Sequence, residues 1–266
     1  MNSIESLRQP QRLIPLVIVG AAEVLLILHG PLAQFANYHA FADRRELCGT
    51  PNAADVLSNL AFLAAATWGW FRLRTLRAEQ RLALAWPGYM LFLGGLLLTA
   101  FGSTYYHWAP DDARLLWDRL PIALSCAGLL AGAFAEIERR SALLPALMLA
   151  VFAVTSVGWW VYRADLRPYL LLQVAPVVLI PLWQHLRNAP RGERLNFAGA
   201  VAVYAAARIA ELYDLPIFAA SGWVSGHTLK HLLAAAACVL IINAVVHRVR
   251  AERGDDGLAP LANRKS

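Results

Sequence analysis

The sequence predicts an all-α, polytopic membrane helical bundle, with a seven-helix core and one additional amino-terminal transmembrane helix. Three observations lead to this class. The 266-residue chain is 58% hydrophobic and 16% charged, with a mean hydropathy of +0.47, a balance foreign to most soluble domains. Apolar stretches recur along it, each long enough to cross a hydrocarbon core about 30 Å thick. Basic residues gather in every second connection, as the positive-inside rule requires of a polytopic protein.

The spans are read at 13–33, 54–71, 85–107, 114–135, 142–161, 168–186, 195–213 and 226–247. The first has a basic flank, but Glu23 and His29 interrupt it and no small-x-small cleavage site follows, so it reads as a retained helix and not a signal peptide. The second opens on Asp55, Ser58 and Asn59, which are expected to hydrogen-bond neighbouring helices. The third ends in Ser103 and His107, and the fourth begins with Arg114, Asp118 and Arg119. The fifth and sixth carry no Asp, Glu, Lys or Arg. The seventh carries Arg208, Glu211 and Asp214, which read as an ion-paired network, since charges in a membrane find one another. The eighth begins with His227 and His231. This organisation divides the chain into an amino-terminal helix and polar outer loop (1–53), a core (54–247) and a cytoplasmic tail without regular structure (248–266).

Sixteen of the 24 basic residues fall on one side: Arg8 and Arg12, the loops after the second, fourth and sixth spans, and the tail. Both termini are therefore expected in the cytoplasm of a bacterial inner membrane. The net charge of +6 reflects this topology; no basic patch with interleaved aromatics points to nucleic acid, and nothing implies a protein partner. Cys126 and Cys238 lie within spans as small apolar side chains and Cys48 stands alone in a loop, so no disulfide or cysteine metal motif is expected.

With alternating spans, His107, Asp118, His227 and His231 all fall at the outer ends of their helices. His227 and His231 are four residues apart and share a helix face. A third imidazole from His107 completes the ligand set of a catalytic zinc site, with one coordination position open for water. Three imidazoles favour zinc over calcium or magnesium, which prefer oxygen shells. Asp118 is placed to accept a proton and Ser103, one turn before His107, to orient the water, which implies hydrolysis of an amide or ester. Blander readings stand beside these. Asp118 can pair with Arg114 or Arg119, and Ser103 can pack with Gly102 in a small-residue seam. His29, His39, His185 and His247 read as interfacial hydrogen-bonders.

Gly102-Ser103-Thr104-Tyr105-Tyr106-His107, Trp117-Asp118-Arg119-Leu120-Pro121 and Ser225-Gly226-His227-Thr228-Leu229-Lys230-His231 together resemble the alkaline ceramidases and their superfamily of membrane hydrolases, which includes the progesterone and adiponectin receptors. Asp55-Val56-Leu57-Ser58-Asn59 is similar to that family's first-helix motif, and the resemblance runs from about Asp43 to His231. It implies seven helices around zinc on His107, His227 and His231, with Ser103 and Asp118 beside the water. It also implies a calcium site in the loop before the core, for which Asp43, Glu46 and Asn52 are the candidates. This loop departs from the family pattern in carrying Arg44 and Arg45 and no tryptophan, and its alternative reading is a solvated loop that caps the site. The expected function is zinc-dependent cleavage of an N-acyl lipid, with ceramide or phytoceramide as the class the resemblance implies. A receptor-like or scaffold protein with structural zinc is the alternative. A transporter is disfavoured by the lack of internal repeats and broken helices.

Overall fold

The apolar stretches are helical in the computed structural model, which describes residues 3–253. Among these the helices are α1 (Ser3–His29), α2 (Ala53–Ser58), α3 (Leu60–Arg74), α4 (Gln80–Trp108), α5 (Asp112–Glu138), α6 (Leu143–Arg163), α7 (Arg167–Leu186), α8 (Arg191–Leu212), α9 (Asp214–Ser221) and α10 (Gly226–Arg253). There is no strand among the described residues; an isolated bridge joins Leu47 to Thr50 in a turn before α2. Six helices, α4 to α8 and α10, are long and apolar enough to cross a membrane. On α6, Leu144, Leu147, Val151 and Val154 stay exposed along one face, an arrangement that needs an apolar surrounding.

Three boundaries differ from the sequence reading. The first span stops at His29, where Gly30 takes φ +86° and the Leu32 N–H turns to the Asp165 carboxylate. The second is broken at Asn59. There the side-chain amide occupies the Asp55 carbonyl at 2.8 Å, and the backbone N–H is left with Val56 O, the competition by which asparagine disfavours helix interiors. The last helix continues through Arg253, so the expected tail begins as helix at 248; from residue 254 on it lies outside the described residues.

Helices α4 and α5 form the closest pair. Gly88, Gly95 and Gly102 recur every seventh residue on α4 and face Gly132, Ser125 and Trp117 backbone on α5. A Cβ at Gly102 would lie 1.9 Å from Trp117 O, and one at Gly88 2.3 Å from Gly132 N. Small residues let the two backbones touch, as is common between membrane helices. Pro121 contributes too, since it has no N–H to offer the Trp117 carbonyl one turn back. This contact sets the level of Ser103 and His107 on α4 against Asp118 on α5. Helix α10 packs against α8 and α3 and closes the other side. The polar residues therefore converge at one end of α4, α5 and α10. At the opposite end Arg248 pairs with Glu136 and Arg187 with Glu138.

Candidate metal centre

The amino-terminal end of α10 is held by side chains from three segments. Ser225 caps it by accepting the Thr228 N–H at 2.9 Å, and Asp214 accepts the His227 N–H at 2.8 Å, so two of the orphan donors of the first turn are satisfied. Asp214 also accepts the Ala42 N–H at 2.9 Å, which ties the loop 30–52 to the same helix end. Asp55 Oδ1 accepts the hydroxyls of Ser225 (3.2 Å) and Thr228 (2.7 Å), joining α2 to α10. The predicted network at 208–214 is thus divided. Glu211 pairs with Arg208 and Lys230, whereas Asp214 takes backbone N–H groups.

His107, His227 and His231 are buried, and their ring nitrogens lie within 4.8 Å of one another. Among the described residues they are the group of three or more His, Cys, Asp or Glu side chains gathered at metal-binding spacing. His107 Nε2 and His227 Nε2 are 3.2 Å apart. Two ligands about 2.0–2.1 Å from a tetrahedral zinc stand about 3.3 Å apart, so this separation suits two lone pairs directed at one cation. His231 Nδ1 is 2.7 Å from Ser58 Oγ, which leaves its Nε2 for a ligand. His107 Nδ1 is buried without a partner. The trio therefore can hold a metal ion, and its donor set of neutral imidazoles belongs to the transition-metal class.

Phe41 covers the trio from outside, its ring centroid 4.7 Å from His107 and 4.5 Å from His227. The loop that carries Phe41 is anchored at several points. Asn52 Nδ2 donates to the His107 carbonyl at 2.8 Å, and Arg45 donates to Gly222 O and Trp223 O. Asp165, between α6 and α7, accepts from Leu32 N, Trp159 Nε1 and Arg167 Nε. Burial alone would raise the Asp165 carboxyl, yet the bonds from Arg167, Trp159 and Leu32 outweigh it and hold it well below the usual carboxylate range. His39 bridges Tyr106 and Asp112, and His29 Nδ1 lies 3.4 Å from the Gly30 carbonyl.

Of the three calcium candidates, Asp43 is already engaged by a cation of the chain itself. Both oxygens of Asp43 accept from Arg45 at 2.7–2.8 Å, and the hydrogen bonds from Arg45 hold this carboxyl below its usual range against the opposing effect of burial. Asn52 is turned by its Nδ2 towards the His107 carbonyl, and Glu46 is exposed.

Ser103 and Asp118 are both buried, and both side chains face the same cavity. Arg114 does not reach Asp118; it pairs with Asp111, the residue that caps α5. Ser103, Asp118 and His231 line one cavity of about 490 Å³, a volume typical of small-molecule sites. From Asp118 and His231 the cavity follows α5 to Leu129 and α10 to Ile241, about 15 Å of helix in each case. Beyond the polar end its walls are largely apolar, with Phe92, Leu96, Val177, Phe197 and Ala237 among them. Ser58 bonds a neighbouring helix as its place in the 55–59 motif led one to expect, but not foreseeably at His231, and Phe41 lies in no motif. Their partners lie 173 and 66 or more residues away in sequence.

Compared with protein-family models, curated proteins and solved structures, the chain matches none of them.

Proposed function

We propose that the protein is a zinc-dependent intramembrane hydrolase that cleaves the amide bond of an N-acyl lipid of the ceramide or phytoceramide type. In this reading α2/α3, α4 to α8 and α10 are the seven-helix core and α1 is the addition. Both termini face the cytoplasm of a bacterial inner membrane and the site faces the periplasmic side, a reading supported by the basic residues at the end away from the histidines. The observation that carries the proposal is one continuous cavity with His231, Ser103 and Asp118 at its polar end and an acyl-sized apolar length behind them.

His107, His227 and His231 would hold the zinc ion, which when bound supplies a Lewis acid and lowers the pKa of nearby water to about 7. Asp118 takes the proton of the attacking water as its oxygen adds to the amide carbon. Ser103, in the same cavity wall as Asp118, orients that water. Collapse breaks the C–N bond, and Asp118 returns the proton to the amine nitrogen, so that a fatty acid and an amine leave.

The test is metal analysis of the purified protein with fatty-acid release from a panel of N-acyl lipids. Asp118→Ala is expected to keep its zinc and lose about 10²–10⁴-fold in rate, while His231→Ala loses both. Undiminished release in His231→Ala, or a folded wild type without zinc, overturns the proposal. Zinc bound in a protein that turns over none of the panel transfers support to a receptor-like protein with structural zinc.

A further inference from the structure

The cavity wall carries three cations, Arg119, Arg208 and Lys230, against two carboxylates, Asp118 and Glu211. Glu211 is shared by Lys230 at 2.9 Å and Arg208 at 2.5 Å. Arg119 is different. It is only 2% exposed, and its Nε and Nη1 atoms have no hydrogen-bond partner. Aromatic rings surround it instead, the guanidinium carbon lying 4.0 Å from the centroid of Trp160, 5.0 Å from Tyr38 and 5.6 Å from Tyr169.

Such rings stabilise the cation through its faces, whereas its N–H groups project from the edge. A buried guanidinium with unsatisfied edge donors is costly unless something meets them, and an oxyanion matches them best. Asp118 and Arg119 are consecutive on α5, so they point about 100° apart around the helix, yet both line the cavity. A group held at Arg119 therefore lies beside the reacting centre, away from the apolar length that suits an acyl chain.

We propose that Arg119 binds an oxyanion on the headgroup of the lipid, so that the preferred substrate is an acidic N-acyl lipid with a carboxylate or phosphate on its amine portion. This inference rests on the hydrolase reading of the site. The bound anion matches the one cation that the lining carboxylates leave over among the side chains, and Arg119 discriminates acidic from neutral amides. The carboxylate of the released fatty acid has the same chemistry, and the experiment separates the two sources.

Binding to the purified full-length protein is measured with three ligands of one chain length: the ketone isosteres of an N-acylglycine and of an N-acylethanolamine, with CH2 replacing the amide nitrogen, and the free fatty acid. Wild type is expected to bind the acidic isostere about 10–100-fold more tightly than the neutral one, as for a charge-assisted contact in a buried site. Arg119→Gln abolishes that preference and leaves binding of the neutral isostere and of zinc unchanged, which also shows that it folds. Arg119→Lys keeps part of the preference. Equal binding of the two isosteres by wild type overturns the inference, and this arm needs no variant. Loss of fatty-acid affinity in Arg119→Gln with the isostere preference intact assigns the anion to the product and overturns it as well. None of these readouts requires turnover. Absent hydrolysis of every amide with a persisting Arg119-dependent preference removes the hydrolase reading and leaves the anion site.

Discussion

Ser58 and His231 lie 2.7 Å apart, and the direction of their hydrogen bond is determined by a third group. The Ser58 hydroxyl donates to the Asp55 carbonyl at 2.9 Å. A hydroxyl has one proton to give, so His231 must donate from Nδ1, and its Nε2 carries the lone pair that a metal requires. Polar partners of this kind orient ligands and raise their basicity. Ser58→Ala is expected to weaken metal affinity about 10–100-fold while His107 and His227 remain in place. Competition against a chelator of known affinity measures it, and an unchanged affinity would show that Ser58 only closes the end of α2.

The 3.2 Å approach of His107 Nε2 to His227 Nε2 joins α4 to α10 through whatever lies between them. A cation bound only in the folded state stabilises it by mass action, about 4 kcal/mol at a thousandfold excess over Kd. Chelation is expected to lower Tm, and zinc to restore it. In His227→Ala, Tm becomes independent of both treatments. A wild type whose Tm ignores chelator and zinc alike excludes a metal from this trio.

Gly102 tests the seam that sets Ser103 and His107 against Asp118. A Cβ there meets Trp117 O at 1.9 Å, backbone that cannot rotate away, whereas a Cβ at Gly94 meets nothing within 4 Å. Gly102→Ala is expected to destabilise by about 1–3 kcal/mol through overpacking and to shift Ser103 and His107 against Asp118 by displacing α4 along α5. Gly94→Ala is neutral or slightly stabilising, since alanine is the better helix former. Thermal denaturation in detergent distinguishes the pair. Equal Tm values would mean that the helices part at little cost.

What was legible in the sequence and what was not divides along physical lines. Helix positions follow from hydropathy, and the convergence of His107, His227 and His231 follows from i,i+4 spacing and alternating span direction, because both are local or periodic properties. The break at Asn59 was hidden because it depends on one amide choosing the Asp55 carbonyl within an otherwise apolar helical stretch. Asp43 resembled a cation ligand until Arg45, two residues on, was seen to occupy both its oxygens. Ser58, Phe41 and Asp214 were missed as supports of the centre since each acts across separate helices or a loop. Their roles depend on helix rotation, which composition does not encode.

Asp165 offers a pH test away from the histidine trio. It accepts the Leu32 N–H at 3.1 Å and the Arg167 and Trp159 side chains at 2.9–3.0 Å, so it fastens the start of the covering loop to the α6–α7 connection. Its folded-state pKa lies below the ordinary carboxylate value. A carboxyl shifted in this direction contributes stability that is fully present above its unfolded pKa of about 3.9 and is lost as pH falls from there through the folded value. Asp165→Asn is therefore expected to destabilise by about 1–3 kcal/mol at neutral pH, since hydrogen bonds to a charged acceptor are lost or weakened. The gap from wild type stays constant down to about pH 5 and narrows below about pH 4. Melting curves of both proteins across that range measure it. A gap that widens as pH falls would mean that the folded state raises this pKa, and that the loop is held by other contacts.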